Sequence, residues 1–162
     1  MPDGVPGRVW LCGKHLIGPD PIRVVDHHRL DAVVCLTQRH ELEDRFPEYV
    51  AWLDSERGGR AIWQPIDDLS VPTVEAFEAL LADLADRVRR GERVLVHCAA
   101  GIGRAGTVAT GLLIHLGMDR AAALRHVRAH RPMAGPEVGA QAVLIEQFAD
   151  RRAGEAADSG GC

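Results

Sequence analysis

Residues 94–107 read VLVHCAAGIGRAGT, and this stretch is compatible with two different anion-binding sites. The pattern GIGRAG after an apolar run matches the glycine fingerprint of dinucleotide-binding folds. The pattern HCAAGIGR instead places Cys98 at the start of a glycine-bearing loop and Arg104 at its end. The elements around the stretch must therefore decide between a nucleotide-binding loop and a cysteine nucleophile.

The dinucleotide alternative fails on the elements that follow the loop. That fingerprint comes directly after the first strand and is followed by a helix, a second strand and an acid that binds ribose. Here the fingerprint begins only after residue 100, and the segment MDRAAALRHVRAH at 118–130 predicts a helix where the second strand should lie. No suitable position remains for the acid, so we favour the cysteine nucleophile.

The rest of the chain alternates predicted strands with predicted helices. Apolar runs at 32–36, 61–66 and 93–97 predict strands. Capping residues and helical periodicity predict helices at 21–29, 47–57, 74–90, 104–116, 120–131 and 138–151. This alternation predicts a single α/β domain, with a central, mostly parallel sheet and helices on both faces. We expect a loose lead-in at 1–7, the domain at 8–152 and a flexible tail at 153–162.

Composition limits the possible partners. The chain has 162 residues, 46% of them hydrophobic, and a formal net charge of -4. The acidic balance gives no general reason to bind nucleic acid or an anionic membrane, and no apolar run is long enough to span a bilayer. Four scattered cysteines do not suggest a disulfide scaffold. We expect an intracellular, cytoplasmic protein and leave its oligomeric state open.

Topology brings a second loop towards the first. In a right-handed strand-helix-strand unit, the loops that leave both strands emerge at the same carboxyl edge of the sheet. The segment IDDLSVP at 66–72 and the loop at 97–104 should therefore face one crevice.

The loop itself has the features of an oxyanion site. A strand, a glycine-bearing turn and a helix start converge backbone N–H groups and the positive end of a helix dipole on one point. These groups favour the thiolate form of Cys98, and Arg104 can bind two oxygens of a tetrahedral anion through its planar fork. We therefore expect phosphate to be bound by the backbone and side chain of the loop residues Ala99, Ala100, Gly101, Ile102, Gly103 and Arg104.

The stretch HCAAGIGRAGT resembles the signature of cysteine-dependent protein tyrosine phosphatases, and the whole domain resembles their compact dual-specificity branch. PIDDLSVPT at 65–73 is similar to the acid loop of that branch, which implies Asp68 as the general acid, with Asp67 as the alternative. The segment GRVWLCGKHLIG at 7–18 resembles the branch's first hairpin, and AVVCLTQRHEL at 32–42 its following strand and loop. HRPMAGPEVGAQ at 130–141 resembles a stretch in which a glutamine orients the hydrolytic water, so Gln141 is a candidate for that role, with a solvated helix residue as the alternative.

One residue departs from the family pattern. The family usually has Ser or Thr directly after the signature arginine, where the hydroxyl helps the thiolate to leave, and this chain has Ala105. The phosphatases of regenerating liver also have Ala there and are slow. We therefore expect slow breakdown of the phosphoenzyme. A protective disulfide between Cys35 and Cys98 is a further hypothesis, since reactive thiolates oxidise readily.

The resemblance implies a protein phosphatase acting on phosphotyrosine, extending to phosphoserine and phosphothreonine, through a cysteinyl-phosphate intermediate. It implies Cys98, Arg104 and Asp68 as catalytic residues and requires no metal or cofactor. The alternatives are a phosphoprotein-binding pseudophosphatase and a phosphatase of a small phosphorylated metabolite or a phosphoinositide. The absence of basic residues at the variable loop positions argues against an inositide. A rhodanese-like sulfur transferase or an arsenate reductase is a more distant alternative, because neither requires Asp68.

Overall fold

A four-stranded parallel sheet forms the centre of the computed structural model, which describes residues 1–137 and 139–159. The strands are β1 (Arg8–Gly13), β2 (Ala32–Cys35), β3 (Ala61–Trp63) and β4 (Arg93–Cys98), in the spatial order β1-β4-β2-β3. All three strand pairings are parallel, and β4 lies between β1 and β2. The expected α/β class with a parallel sheet is confirmed.

Helices connect and cover the strands. Within the described residues they are α1 (Lys14–Ile17), α2 (Pro21–His28), a 3-10 helix (Arg39–Glu41), α3 (Pro47–Ser55), α4 (Val74–Arg89), α5 (Gly103–His115), α6 (Arg120–His130) and α7 (Ala140–Ser159). Three of them begin at side-chain caps, because Asp20, Thr73 and Asp119 each accept a hydrogen bond from the backbone N–H three residues later. These local signals explain why the predicted starts of α2, α4 and α6 are correct.

The two faces of the sheet carry separate apolar clusters, as the expected helices on both faces require. On one face, alternate residues of β2 and β4 such as Val34 and Val96 pack with α4, α5 and α7. On the other face, Val33 and Leu95 pack with α1, α2 and α3. Neighbouring residues of one strand therefore belong to different layers. This alternation decides what surrounds each residue at the end of β4.

Three expectations about local structure are wrong. No hairpin forms at 7–18, because β1 is followed directly by α1 and pairs in parallel with β4. The third strand ends at Trp63 and not at residue 66, since Pro65 cannot donate to the ladder, although Gln64 and Ile66 still donate to the carbonyls of Cys35 and Leu36. Helix α7 continues to Ser159, so the last helix does not end at residue 151 as predicted. Residue 138 of the predicted last helix and residues 160–162 of the predicted tail lie outside the described residues.

The N-terminal segment also differs from the expected loose lead-in. The backbone N–H of Gly7 donates to the carbonyl of Val88 at 2.8 Å, and Met1 and Val5 pack against the core. The limits of the domain at 8 and 152 stay a prediction. Among residues 1–137 and 139–159, no helix combines the length and the apolar character needed to cross a membrane.

Candidate active site

Cys98 is the last residue of the central strand β4, and α5 begins five residues later at Gly103. We call residues 98–104 the cysteine loop. The thiol is buried, with 3% of the residue exposed, and its Sγ accepts a hydrogen bond from the backbone N–H of Gly101 at 3.2 Å. The loop thus curls back over its own cysteine and places the start of α5 beside it.

Two glycines allow this curl. Gly101 has a φ of +74°, a conformation that L side chains rarely adopt, and a Cβ at this position would lie 2.3 Å from the carbonyl carbon of Cys12. Gly13 also packs closely, because a Cβ there would lie 2.9 Å from the carbonyl oxygen of Ala99. The loop therefore lies directly on the end of β1, and only glycine fits at position 101.

Arg131, which the sequence analysis did not select, holds the loop from outside. Its Nε donates to the carbonyl of Gly101 at 2.6 Å and its Nη2 to the carbonyl of Ala100 at 2.9 Å. The backbone N–H of Lys14 binds the carbonyl of Ala99 at 3.1 Å. Because the C=O and N–H of one peptide group point in opposite directions, these contacts turn the N–H groups of residues 100–102 towards the cysteine. No sequence pattern marks Arg131, which comes from the end of α6.

Arg104 lies in the interior with 1% of its side chain exposed, and its guanidinium is held on several sides. Nη1 and Nη2 donate to the two carboxylate oxygens of Glu41 at 2.7 Å and 3.0 Å, and Nη1 also donates to the carbonyl of Ile66 at 2.8 Å. Within residues 1–137 and 139–159, Nε has no hydrogen-bond partner. Since a buried donor without a partner is costly, an oxyanion bound at Cys98 would satisfy it.

Glu41 is a second residue that the sequence analysis missed. Burial tends to raise the pKa of this carboxyl, but hydrogen bonds from Arg104 and from the N–H of Gln38 outweigh burial and lower it. Glu41 is therefore a carboxylate that orients Arg104 through a bidentate ion pair. The segment QRHEL follows β2, so its proximity to Arg104 depends on the sheet order, which the sequence does not show.

The segment 66–72, which we call the acid loop, lies at the same edge as the cysteine loop, as the topology predicted. The Oδ1 of Asp68 is 3.2 Å from the Nη2 of Arg104, and 72% of the Asp68 side chain is exposed. Asp67 instead accepts a hydrogen bond from the Nε2 of Gln38 at 3.0 Å. Of the two candidate acids, the structure places Asp68 against the arginine and ties Asp67 to a neighbouring loop.

Gln141 is 1% exposed, so the alternative of a solvated helix residue is wrong. Its Oε1 accepts hydrogen bonds from the hydroxyl of Thr107 at 3.0 Å and from the N–H of Glu137 at 3.1 Å. Its Nε2 donates to the carbonyl of Ser70 at 3.3 Å. Gln141 therefore connects the acid loop to α5 in this state.

The residue before the cysteine faces the other layer. His97 is fully buried, its Nε2 is 2.5 Å from the hydroxyl of Tyr49, and burial lowers the pKa of the imidazole to about 4. The neutral ring thus packs below the loop on the side of α3. Cys98 belongs to the apolar cluster of the opposite face.

The other two described cysteines lie in the cluster on the face of His97. Cys12 and Cys35 are the direct neighbours of His97 on β1 and β2. Burial raises the pKa of the Cys12 thiol to about 12 and that of the Cys35 thiol to about 11. The hypothesis of a Cys35–Cys98 disulfide is wrong for this fold, because the two side chains point to opposite faces of the sheet and Cβ vectors that point apart cannot be bridged.

Residues 10–144 match the family described as the Swiss Army Knife protein, DSP-PTPase phosphatase domain. The chain therefore belongs to the dual-specificity type of the cysteine-dependent protein tyrosine phosphatases, and the expected family is confirmed.

Individual relatives agree with this assignment. The crystal structure of Tk-PTP in its active form is 31% identical, with a TM-score of 0.69, and the alignment covers 91% of this chain and 95% of that one. PTPMT1 is 19% identical, with a TM-score of 0.72 and coverage of 93% and 94%, and at this identity it shares the fold. Dual specificity protein phosphatase 1 of Arabidopsis thaliana is 38% identical over 75 residues, which are 46% of this chain and 36% of the relative. That match spans about a third of the relative's length.

Proposed function

We propose that this chain hydrolyses phosphotyrosine in proteins, and phosphoserine and phosphothreonine as further substrates, through a cysteinyl-phosphate intermediate. The observation that carries the proposal is the pairing of two donors from the cysteine loop: the Gly101 N–H bound to the Sγ of Cys98, and the buried Nε of Arg104 with no partner in the described chain. Together with family membership, this pairing supports a site that binds the phosphoryl oxygens and stabilises a thiolate.

In the first step the Sγ of Cys98 attacks phosphorus and forms an S–P bond, while the P–O bond to the leaving group breaks. Asp68 donates a proton to the departing oxygen. Arg104 and the loop N–H groups bind the three equatorial oxygens as charge shifts in the transition state. The 3.2 Å contact between Asp68 and Arg104 supports this role, since it holds the acid beside the phosphoryl site.

In the second step water attacks phosphorus, Asp68 accepts its proton, and the S–P bond breaks to release phosphate and the thiolate. Gln141 orients this water in the proposal. It is buried beside Gly103, where a Cβ would lie 3.2 Å from the Gln141 Oε1. The same side chain binds Ser70 of the acid loop, so movement of that loop would free the amide for water.

The second step is proposed to be slow. Ala105 is fully buried and offers no hydroxyl to the leaving thiolate. The nearby Thr107 hydroxyl already lies 2.8 Å from the carbonyl of Gly103 and 3.0 Å from Gln141, so it is engaged within α5 and α7. Breakdown of the phosphoenzyme therefore limits turnover in this proposal.

The loop composition favours a phosphoprotein over an inositide. The variable positions Ala99, Ala100 and Ile102 carry no charge, and the chain has a net charge of -4. A multiply phosphorylated ligand would find few extra cations in the loop itself. We place the chain in the cytoplasm, with a phosphorylated protein as its partner.

The test is a rapid-mixing time course of nitrophenol release from para-nitrophenyl phosphate, followed by a panel of phosphotyrosine, phosphoserine and phosphothreonine peptides. We expect a burst of one nitrophenol per chain and then a slower phase, and no release by Cys98→Ser. Cys35→Ser is the matched control, since it changes a buried thiol on the other face and should leave the burst intact.

Three results would contradict the proposed mechanism or substrate class. Retained release in Cys98→Ser would exclude the cysteine mechanism. Phosphate-analogue binding without release would indicate the phosphoprotein-binding alternative. Hydrolysis of a phosphoinositide or a small phosphate ester, but not of the peptides, would move the substrate to those classes.

A further inference from the structure

A second concave site lies beside the edge strand of the sheet. A cavity of about 360 Å³ opens between β1, α5 and α6, and its apolar wall includes Val9, Leu11, Leu112 and Val127. Binding sites for small molecules typically have volumes of about 300–1,000 Å³ and mostly apolar walls with a few polar groups. The cavity therefore has the size and lining of a ligand site, and the proposed phosphatase mechanism does not use it.

The polar groups around this cavity are all basic. Arg8, His126, His130 and Arg131 line it, and no aspartate or glutamate of the described part of the chain does. Among residues 1–137 and 139–159, none of these four side chains forms an ion pair with a carboxylate. In a chain with a net charge of -4, Arg8, Arg131 and the amino group of Met1 thus form a cationic rim around an apolar cavity, and the Met1 amino group donates to the Nε2 of His126 at 3.3 Å. A ligand that matches both features has an apolar body and an acidic group.

Arg131 connects this cavity to the cysteine loop. Its Nε and Nη2 bind the carbonyls of Gly101 and Ala100, while its Nη1 makes no hydrogen bond within the described chain. An anion in the cavity can therefore bind the guanidinium through a free donor without displacing the loop. Such an anion would hold Arg131 in the position that turns the loop N–H groups towards Cys98.

We propose that the cavity between β1, α5 and α6 binds a small amphipathic anion, and that its binding strengthens oxyanion binding in the cysteine loop through Arg131. The apolar body lies against β1 and α5, and the acidic group lies among Arg8, His126, His130 and Arg131. Coupling is reciprocal: an oxyanion at Cys98 strengthens binding in the cavity by the same factor.

The first experiment compares two fluorescent dyes that share a body and differ in charge. The anionic dye is 8-anilinonaphthalene-1-sulfonate, and the neutral dye is N-phenyl-1-naphthylamine. We expect one anionic dye per chain, bound about tenfold more tightly than the neutral dye, because only the anionic dye accepts a charged hydrogen bond from the basic side chains. Arg8→Gln and His126→Gln should each weaken the anionic dye several-fold and leave the neutral dye unchanged. Arg125→Gln, on the exposed side of α6, is the matched control.

The second experiment measures coupling by calorimetric titration with orthovanadate, which mimics the phosphoryl group at Cys98. Saturating anionic dye should lower the Kd of vanadate about fivefold in the wild type, and vanadate should lower the Kd of the dye equally. At a dye concentration equal to the wild-type Kd, the effect should be several-fold smaller in Arg8→Gln, because less of the variant carries dye.

Equal affinity of the two dyes, or dye binding that ignores Arg8 and His126, would overturn the site. Competition between dye and vanadate, or independence of the two, would overturn the coupling. Neither result would contradict the proposed phosphatase activity, because nitrophenol release and the reference Kd of vanadate are both measured without dye.

Discussion

The cysteine loop and the acid loop meet at one edge of the sheet but are built in opposite ways. The cysteine loop is held by the end of β1 against Gly101 and by Arg131 on the carbonyls of Ala100 and Gly101. The acid loop carries exposed side chains at Asp67, Asp68 and Leu69, and Leu69 has a φ of +61°. Among the described residues, four side-chain contacts hold it: Arg104 binds the carbonyl of Ile66 and the carboxylate of Asp68, Gln38 binds Asp67, and Gln141 binds the carbonyl of Ser70.

This difference matches the different tasks that we propose for the two loops. A site that stabilises charge in a transition state needs donors that are already in position, because reorienting them during the reaction would cost free energy. A general acid must protonate a leaving group and later accept a proton from water, while substrate and product enter and leave past it. A firmly held cysteine loop and a lightly held acid loop fit these requirements. The following substitutions test this comparison of the two loops.

The largest effect is expected for Gly101→Ala. The new Cβ would lie 2.3 Å from the carbonyl of Cys12, so the loop must move and lose several N–H donors at once. Since one such donor contributes about 10²–10³ in rate, kcat/KM for para-nitrophenyl phosphate should fall by at least about 10⁴-fold. Gly58→Ala is the control, because its φ of +80° is also positive but its Cβ would have nothing within 4 Å. Similar activity losses in both variants would show that backbone strain, and not the close approach to Cys12, is responsible.

Asp68→Ala removes the proposed acid and leaves the residues of the cysteine loop unchanged. We expect kcat to fall by about 10²–10⁴-fold, or about 3–5 kcal/mol, for phosphoserine peptides with their poor leaving group. The loss should be smaller for para-nitrophenyl phosphate, because nitrophenolate leaves without a proton. Steady-state kinetics with both substrates measures the ratio. Asp67→Ala is the paired variant, and a larger loss there would assign the acid role to Asp67.

Arg131→Gln tests whether the outer contacts of the cysteine loop matter. Two charged hydrogen bonds to the carbonyls of Ala100 and Gly101 are lost, and the loop N–H groups become less well oriented. We expect kcat/KM to fall about 10–100-fold and the Kd of orthovanadate to rise, with little change in the melting temperature. Arg125→Gln should leave all three quantities unchanged. An unaltered Kd of vanadate in Arg131→Gln would show that the loop keeps its shape without this arginine.

The smallest effect concerns stability and the histidine below the cysteine loop. Burial lowers the pKa of His97 from 6.5 to about 4, so the unfolded chain takes up a proton between these values and the folded chain does not. The free energy of unfolding should therefore lose about 1.4 kcal/mol per pH unit from this group as the pH falls from 6.5 towards 4. Urea denaturation at pH 7, 6 and 5 measures the slope. His97→Asn should flatten it relative to wild type, while the exposed His28→Asn should not. Equal slopes in wild type and His97→Asn would mean that other groups carry the acid sensitivity.

Much of the candidate site follows from local patterns. The HCAAGIGR stretch places a cysteine, a glycine turn and an arginine within a few residues of each other, and local spacing suffices because all of them lie on one loop. The strand-helix alternation also predicts that the acid loop shares an edge with the cysteine loop, since parallel strands end on the same side. The starts of α2, α4 and α6 follow from their capping residues.

Contacts between distant segments do not follow from local patterns. Glu41 reaches Arg104 across 63 positions and Arg131 reaches Gly101 across 30, and neither carries a motif. The hairpin expected for the first segment rested on the resemblance alone, and the local sequence of a short strand does not show that it pairs with β4. Gln141 reads equally well as solvated or buried from the sequence, and packing of α7 against α5 decides the matter.

The sequence by itself therefore determined the class of fold and pointed to Cys98 and Arg104, because backbone propensity, hydrophobic period and a continuous loop motif are local properties, while the family and the two candidate acids came from its resemblance to known phosphatases. Only the tertiary structure decided which acid lies against Arg104, which residues orient the loop, and which face of the sheet each cysteine occupies. Those outcomes depend on strand order and side-chain alternation, which bring together residues that are far apart along the chain.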